Sequence, residues 1–278
     1  MLEECLRNVR QKHPLIHCIT NYVTVNDVAN VLLAAGGSPI MADAVEEAAE
    51  ITAVCSGLVI NIGTLNAATI PAMYAAGKKA AELRHPIVLD PVGAGASALR
   101  TKTALDLMAQ IPFSVIRGNI SEIKTLASTA AGVNAGGTQG VDAALSDAVT
   151  EDNLHEAAAF IAEFARCHHC IAAVTGRIDI VSDGAVCYAV TNGRAEMSRI
   201  TGTGCQLSAL TAAFIAANPD NQLEAVLTAV CMMGLCGELA FERLGAQAGN
   251  ASYRTAIIDT IYALGEQALS GGARYALL

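Results

Sequence analysis

Short β-branched runs alternate with Ala-rich segments of helical period along most of this chain. That alternation restricts it to βαβ units around a mostly parallel central sheet with helices on both faces. The strand-like runs are 56–61, 86–90, 114–117 and 170–175. They are continuously apolar, as parallel strands covered on both faces must be. A hairpin is predicted over 180–188, turning at Asp183-Gly184. The helical segments are 43–54, 66–83, 101–110, 121–131, 152–166 and 205–217, the last with Leu207, Leu210, Phe214 and Ala217 at helical spacing. Helices over 221–245 and 251–269 fill the last sixty residues. With no linker, composition break or repeat, the chain reads as one α/β domain over 1–278. Its richest loop is 131–138, with Gly132, Gly136 and Gly137.

Composition narrows the function. The chain is 53% hydrophobic and 15% charged, which excludes intrinsic disorder. A net charge of −9 and no basic block argue against nucleic acid as a partner. An anionic cofactor must then be held locally, by backbone N–H groups, one or two Arg and a divalent ion. The nine cysteines are odd in number and mostly lie in apolar runs, as reduced core residues of a cytoplasmic protein do. The acidic, amphipathic start is unlike a signal peptide. The uncharged stretch 200–219 opens Thr-Gly-Thr-Gly-Cys-Gln and ends Asn-Pro, which fits a loop entering a buried helix better than a membrane span.

In open parallel sheets ligands bind beyond the carboxyl ends of the strands. There the chain places Gly63-Thr64, Asp90-Pro91-Val92-Gly93-Ala94-Gly95, Gly118-Asn119-Ile120-Ser121-Glu122 and Gly176-Arg177. The turn Thr201-Gly202-Thr203-Gly204-Cys205 precedes a long apolar helix. Free N–H groups at Gly202, Thr203 and Gly204, with the helix dipole, make an anion site. A tight turn with glycine kept for packing is the plainer alternative. Asp90 and Glu122 are two carboxylates able to organise Mg²⁺ through water. As plainer alternatives, Asp90 is a turn former and Glu122 a helix-start charge.

Several motifs carry less. No P-loop is present. Gly93-Ala94-Gly95 lacks the third glycine of a dinucleotide fingerprint, because position 98 is Ala, and the next strand ends in Arg117 rather than an acid. Cys167-His168-His169-Cys170 has no second ligand pair and reads as a helix-to-strand junction. His17, Cys18, Met232, Met233 and Cys236 read as core.

Taken together, these stretches resemble the hydroxyethylthiazole kinases of thiamine salvage, in the ribokinase-like superfamily. The resemblance rests on 14–21 (Pro-Leu-Ile-His-Cys-Ile-Thr-Asn), 26–42, Asn61-Ile62-Gly63-Thr64-Leu65 and 89–96. It continues through Ile116-Arg117-Gly118-Asn119 with Glu122, Gly140-Val141-Asp142-Ala143, Val174-Thr175-Gly176 and 201–205. It spans some three quarters of the chain. It implies a ribokinase-like fold and ATP-dependent phosphorylation of the primary alcohol of 4-methyl-5-(2-hydroxyethyl)thiazole. It further implies thiazole contacts at Met41 and Gly202, with Asn21 and Asn26 lining the site. ATP contacts fall at Arg117, Thr175 and Asn119, and Asn119 to Glu122 forms an Asn-x-x-Glu metal motif for Mg²⁺. Trimers with thiazole sites at subunit interfaces are also implied. Two departures stand out. Gly249-Asn250-Ala251-Ser252-Tyr253 replaces a common Gly-Pro-Gly-Ser-Phe, and Tyr22 stands where a small polar residue is common.

The residues suit that chemistry. The thiazole is small, flat and mostly apolar, and Asn21, Asn26 and Met41 sit amid small apolar residues. Cys205 occupies the place where the wider superfamily usually has an Asp base. A thiol of pKa ~8.5, lowered by a helix start, is expected to be a weak base, and a loose phosphoryl-transfer transition state needs no stronger one. The rival expectations are a hydroxymethylpyrimidine kinase of the same fold, a nicotinamide-dependent oxidoreductase and a non-catalytic binding module.

Overall fold

A computed structural model describes residues 1–130 and 148–278. The expected glycine-rich loop 131–138 and the matching Gly140-Val141-Asp142-Ala143 lie outside the described residues. The order is α1 (Leu2–Lys12), β1 (Leu15–Ile19), α2 (Val25–Ala35), β2 (Ser38–Ile40), α3 (Val45–Val54), β3 (Gly57–Asn61), α4 (Thr69–Leu83), β4 (Ile87–Asp90), α5 (Ala98–Gln110), β5 (Val115–Asn119) and α6 (Ile120–Ala130). After the undescribed segment come α7 (Leu154–His168), β6 (Ile171–Thr175), β7 (Asp179–Ser182), β8 (Cys187–Val190), α8 (Thr203–Ala217), α9 (Gln222–Glu242), α10 (Asn250–Ala263), α11 (Glu266–Gly272) and β9 (Tyr275–Leu277).

All described strands join one sheet in the order β2-β1-β3-β4-β5-β6-β7-β8-β9. Pairing is parallel from β2 to β6 and antiparallel from β6 to β9. Strand residues alternate between two cores. Val59, Val88 and Val115 face one layer with α1, α2 and α8 to α11, whereas Leu58, Ile60 and Leu89 face the other with α3 to α7. The continuous apolar runs are therefore explained: central strands such as β3 and β4 bury both faces.

Local chemistry sets the boundaries. Glu3 and Glu4 open α1, and Arg10 and Lys12 close it, each complementing the dipole. Gly36, at φ 100°, ends α2 in the left-handed region. In the 180–188 hairpin, Asp183 Oδ1 accepts the N–H groups of Ala185 and Val186, which closes the turn. His168 ends α7 and His169 caps it, so the Cys-His-His-Cys tract is the helix-to-strand junction its sequence suggested. His17 is a core histidine, bonded to Thr52 Oγ1 and the Ala42 carbonyl, and burial holds it below the usual imidazole range.

The C-terminal region differs in two ways from expectation. The segment 251–269 is two helices, broken at Leu264 and Gly265, and a short strand, β9, follows and pairs with β8. Residues 249–253 open α10, where Asn250 Nδ2 donates to the Arg199 carbonyl at 2.6 Å and the buried Tyr253 hydroxyl to the Gly237 carbonyl at 2.8 Å. Side-chain hydrogen bonds thus anchor this segment. Helix α9 is apolar and long enough to cross a membrane, but it lies mostly inside the fold against α8 and α10. All nine cysteines are unpaired.

Candidate active site

Strand order reverses between β1 and β3, since β1 leads outward to β2 and β3 leads the other way to β4. A crevice opens at such a switch point. Asn21 follows β1 there, and Asn61 ends β3. Helix α8 approaches the same place from one face of the sheet, contacting β1, β3 and β4.

Gly202 caps α8 at φ 92°, and its carbonyl accepts the Gln206 N–H at 2.9 Å. The N–H groups of Thr203, Gly204 and Cys205 precede the first intrahelical bond and so point out of the helix start. A Cβ on Gly202 would collide with Thr24 Cγ2, so the turn needs glycine for its φ and for its closeness to Thr24. The same glycine turn thus serves packing and leaves these N–H groups outward.

Beneath this helix start lies a buried polar cluster. Asn21 Nδ2 and Asn61 Nδ2 donate to Cys205 Sγ at 3.1 and 3.2 Å. Asn61 Nδ2 also donates to Asp90 Oδ2 at 2.7 Å, and Ser208 Oγ donates to the same oxygen at 2.8 Å. Asp90 ends β4 directly opposite Asn61 in the parallel register and is fully buried. Its Oδ1 accepts no hydrogen bond and lies 3.8 Å from Arg117 Nη1. Burial pushes the Asp90 carboxyl up, against the opposing pull of Arg117, Ser208 and Asn61.

The cluster corrects one expectation about Cys205. Its thiol is raised above the ordinary range rather than lowered. Burial is the main cause and the charge of Asp90 adds to it, which together outweigh hydrogen bonds from Thr24, Asn21 and Asn61. The helix start does not make Cys205 a thiolate.

Arg117 reaches across the sheet edge from β5. Its Nη2 donates to Thr175 Oγ1 at 2.5 Å, at the end of β6. Asn119 and Glu122 form a reciprocal cap on α6. Asn119 Oδ1 accepts the Glu122 N–H and Glu122 Oε2 accepts the Asn119 N–H, each at 2.8 Å. Glu122 Oε1 also accepts the Gly93 N–H at 2.8 Å, tying the Gly93-Ala94-Gly95 loop to α6. Burial first, then the charge of Asp90, pushes Glu122 up to about 7. The glycine pair that hinted at a dinucleotide fingerprint thus serves the carboxylate site.

Of the residues expected in the site, Asn21 contacts Cys205 and Arg117 contacts both Asp90 and Thr175, the two sets being joined through Asn61, and Gly202 and Gly204 adjoin them. Met41 is half-buried against the core shared with α8. Asn26 lies exposed on the first turn of α2, outside the hydrogen-bonded cluster. Thr24, Asn61 and Ser208 belong to the cluster and were not expected there. Asn61 had a signal of the same kind as Asp90: a polar residue ending an apolar strand.

A model of the Hydroxyethylthiazole kinase family matches residues 6–267. The chain belongs to the hydroxyethylthiazole kinase family. It is 55% identical to a hydroxyethylthiazole kinase of Clostridium acetobutylicum over 99% of both chains. Its structure resembles that of the hydroxyethylthiazole kinase protein of Pyrococcus horikoshii OT3, with a TM-score of 0.87, 36% identity and coverage of 100% of this chain and 98% of that one. A ribokinase-like superfamily protein of Enterococcus faecalis V583 shares the fold alone, with a TM-score of 0.60 and 11% identity over 95% and 94% of the two chains. The expected ribokinase-like fold is therefore borne out.

Proposed function

We propose that this chain transfers the γ-phosphoryl group of ATP to the primary alcohol of 4-methyl-5-(2-hydroxyethyl)thiazole, at the β1/β3 switch point. The observation that carries this is the convergence of free helix-start N–H groups, Arg117 and two buried carboxylates on one sheet edge. ATP lies along the strand ends, with Arg117, Thr175 and Asn119 on its phosphate side. The alcohol lies beside Cys205, with Met41, Gly202, Asn21 and Asn26 around the ring.

The alcohol oxygen attacks the γ-phosphorus as the bond to the bridging oxygen of ADP breaks. The N–H groups of Gly202, Thr203 and Gly204 meet the negative charge on the transferring group. Cys205 receives two amide donors on its sulfur, which leaves little basicity for a proton transfer. It orients the hydroxyl, and the alcohol proton passes late to an oxygen of the transferred phosphoryl group.

Asp90 and Glu122 fit a role in holding Mg²⁺. Asp90 Oδ1 is a buried acceptor with no donor, and the charge of Asp90 raises the cost of ionising Glu122, which a divalent cation relieves. With Glu122 already engaged by two backbone N–H groups, contact through water suits it. Bound there, the ion would neutralise charge on the phosphates.

The chain also fits a cytoplasmic homotrimer. Tyr22 and Val23 are 77% and 58% exposed beside the cluster, apolar surface that a neighbouring subunit would cover. Mass and phosphorus NMR analysis of the product tests the reaction, which requires a phosphate monoester on the hydroxyethyl oxygen. Sedimentation tests the trimer, and a monomer that turns over at full rate would remove the interface from the site.

A further inference from the structure

Asn61 is 2% exposed, and in the mechanism above it enters only as a donor to the Cys205 sulfur. Its Oδ1 accepts the Gly63 N–H at 2.8 Å and lies 3.4 Å from Asn21 Nδ2. A backbone N–H can only donate, so this contact fixes which end of the carboxamide faces Gly63. The nitrogen is thereby turned inward, and its two hydrogens reach Asp90 Oδ2 and Cys205 Sγ. A Cβ on Gly63 would lie 2.9 Å from Asn61 Oδ1, so the glycine permits the close turn that aims the amide. On the other side, Asn61 and Ser208 both occupy Asp90 Oδ2, which leaves Oδ1 toward Arg117.

We propose that Asn61 is a positioning residue of this site: its carboxamide nitrogen, aimed by Gly63, holds the Asp90 carboxylate and the Cys205 sulfur at a fixed separation. The acceptor side and the phosphate side of the reaction are then set in register by one side chain. This rests on the reading above, which places Cys205 on the acceptor side and Asp90 on the phosphate side. A purely scaffolding Asn61 would matter only through its oxygen and the Gly63 turn.

Two substitutions separate these roles. Asn61→Asp keeps the size and the oxygen for Gly63 and replaces only the nitrogen. Asn61→Ala removes both. Positioning predicts a kcat lower by about 10- to 100-fold in both variants, with KM for ATP and for the thiazole alcohol within about threefold of wild type. In Asn61→Asp, alkylation of Cys205 by iodoacetamide at one fixed pH should slow by about tenfold or more, because a carboxylate replaces a donor beside the sulfur. The exposed Cys167 serves as the internal reference. Should Asn61→Asp not fold, Asn61→Ala decides by its split: a lower kcat at unchanged KM supports positioning, and an unchanged kcat or a raised KM overturns it.

A wild-type kcat in Asn61→Asp alongside a damaged Asn61→Ala would overturn the proposal in favour of a scaffold. So would a rise in KM at unchanged kcat, or Cys205 alkylation that ignores Asn61→Asp. The alkylation needs no turnover. A wild-type protein inactive on the thiazole alcohol would therefore count against the reaction and leave the Asn61 contact to be judged by the thiol.

Discussion

The guanidinium of Arg117 lies against the backbone of Gly204: a Cβ at Gly204 would sit 2.5 Å from Nη1 and 3.0 Å from Nη2. The first turn of α8 and the end of β5 are thus in contact through a cation and a bare backbone. A side chain at 204 must move Arg117, which is held by Thr175 and faces Asp90. Gly204→Ala should raise KM for ATP by about tenfold while costing no more than about 1 kcal/mol of stability, because the group that yields is the tip of a long side chain. Steady-state kinetics with a denaturation curve checks both.

Gly202→Ala should behave differently. Its φ of 92° and the collision with Thr24 Cγ2 make it a backbone substitution, not a displaced side chain. It should cost about 2 kcal/mol or more, read as a lower denaturant midpoint, and should lower kcat as the helix start shifts.

Cys205 should prove dispensable as a base, with a loss no larger than that of a group that only orients the hydroxyl. Its thiol is raised by burial and by Asp90, so little thiolate exists near neutrality. Cys205→Ala should keep substantial activity, and Cys205→Asp should be no worse than wild type, since Asn21 and Asn61 can donate to a carboxylate as they do to sulfur. A fall in kcat beyond about 1000-fold for Cys205→Ala would make the thiol essential.

Glu122 sets a pH dependence. Its carboxyl is held at about 7 against an ordinary 4.5, with burial the first cause. The folded state then binds a proton that the unfolded chain releases, so stability is full below about 4.5 and falls as pH rises through about 7, by about 3 kcal/mol at most. Mg²⁺ should flatten that fall. Glu122→Gln should remove it and weaken the Mg²⁺ dependence of turnover. An unchanged Mg²⁺ titration in that variant would take Glu122 out of the metal role.

The parallel half of the fold was legible because its strands are buried on both faces and therefore announce themselves as apolar runs, as with Ile87 to Leu89. Strand β2 and strand β9 were not. Each has three residues, and β9 is fully exposed, so neither carries a periodic signal. Helix α2 was not expected from the sequence, where 26–42 stood only as a family-like stretch, although its Gly36 cap is a helix-end signal. In the site, Asp90, Arg117, Glu122 and the 201–205 turn could be picked out because each follows a strand or opens a helix. Asn61 and Ser208 could not be given roles. Their partners are set by the register of β3 on β4 and by the face α8 presents, both products of tertiary packing.

The most direct test of the account is ADP release from ATP by the wild-type protein with Mg²⁺, without an acceptor, with the thiazole alcohol, and with hydroxymethylpyrimidine. The account predicts acceptor-dependent release with the thiazole alcohol, absent without Mg²⁺ and far weaker with the pyrimidine. Equal or faster release with the pyrimidine, or none with either alcohol from folded protein that binds ATP, would contradict it.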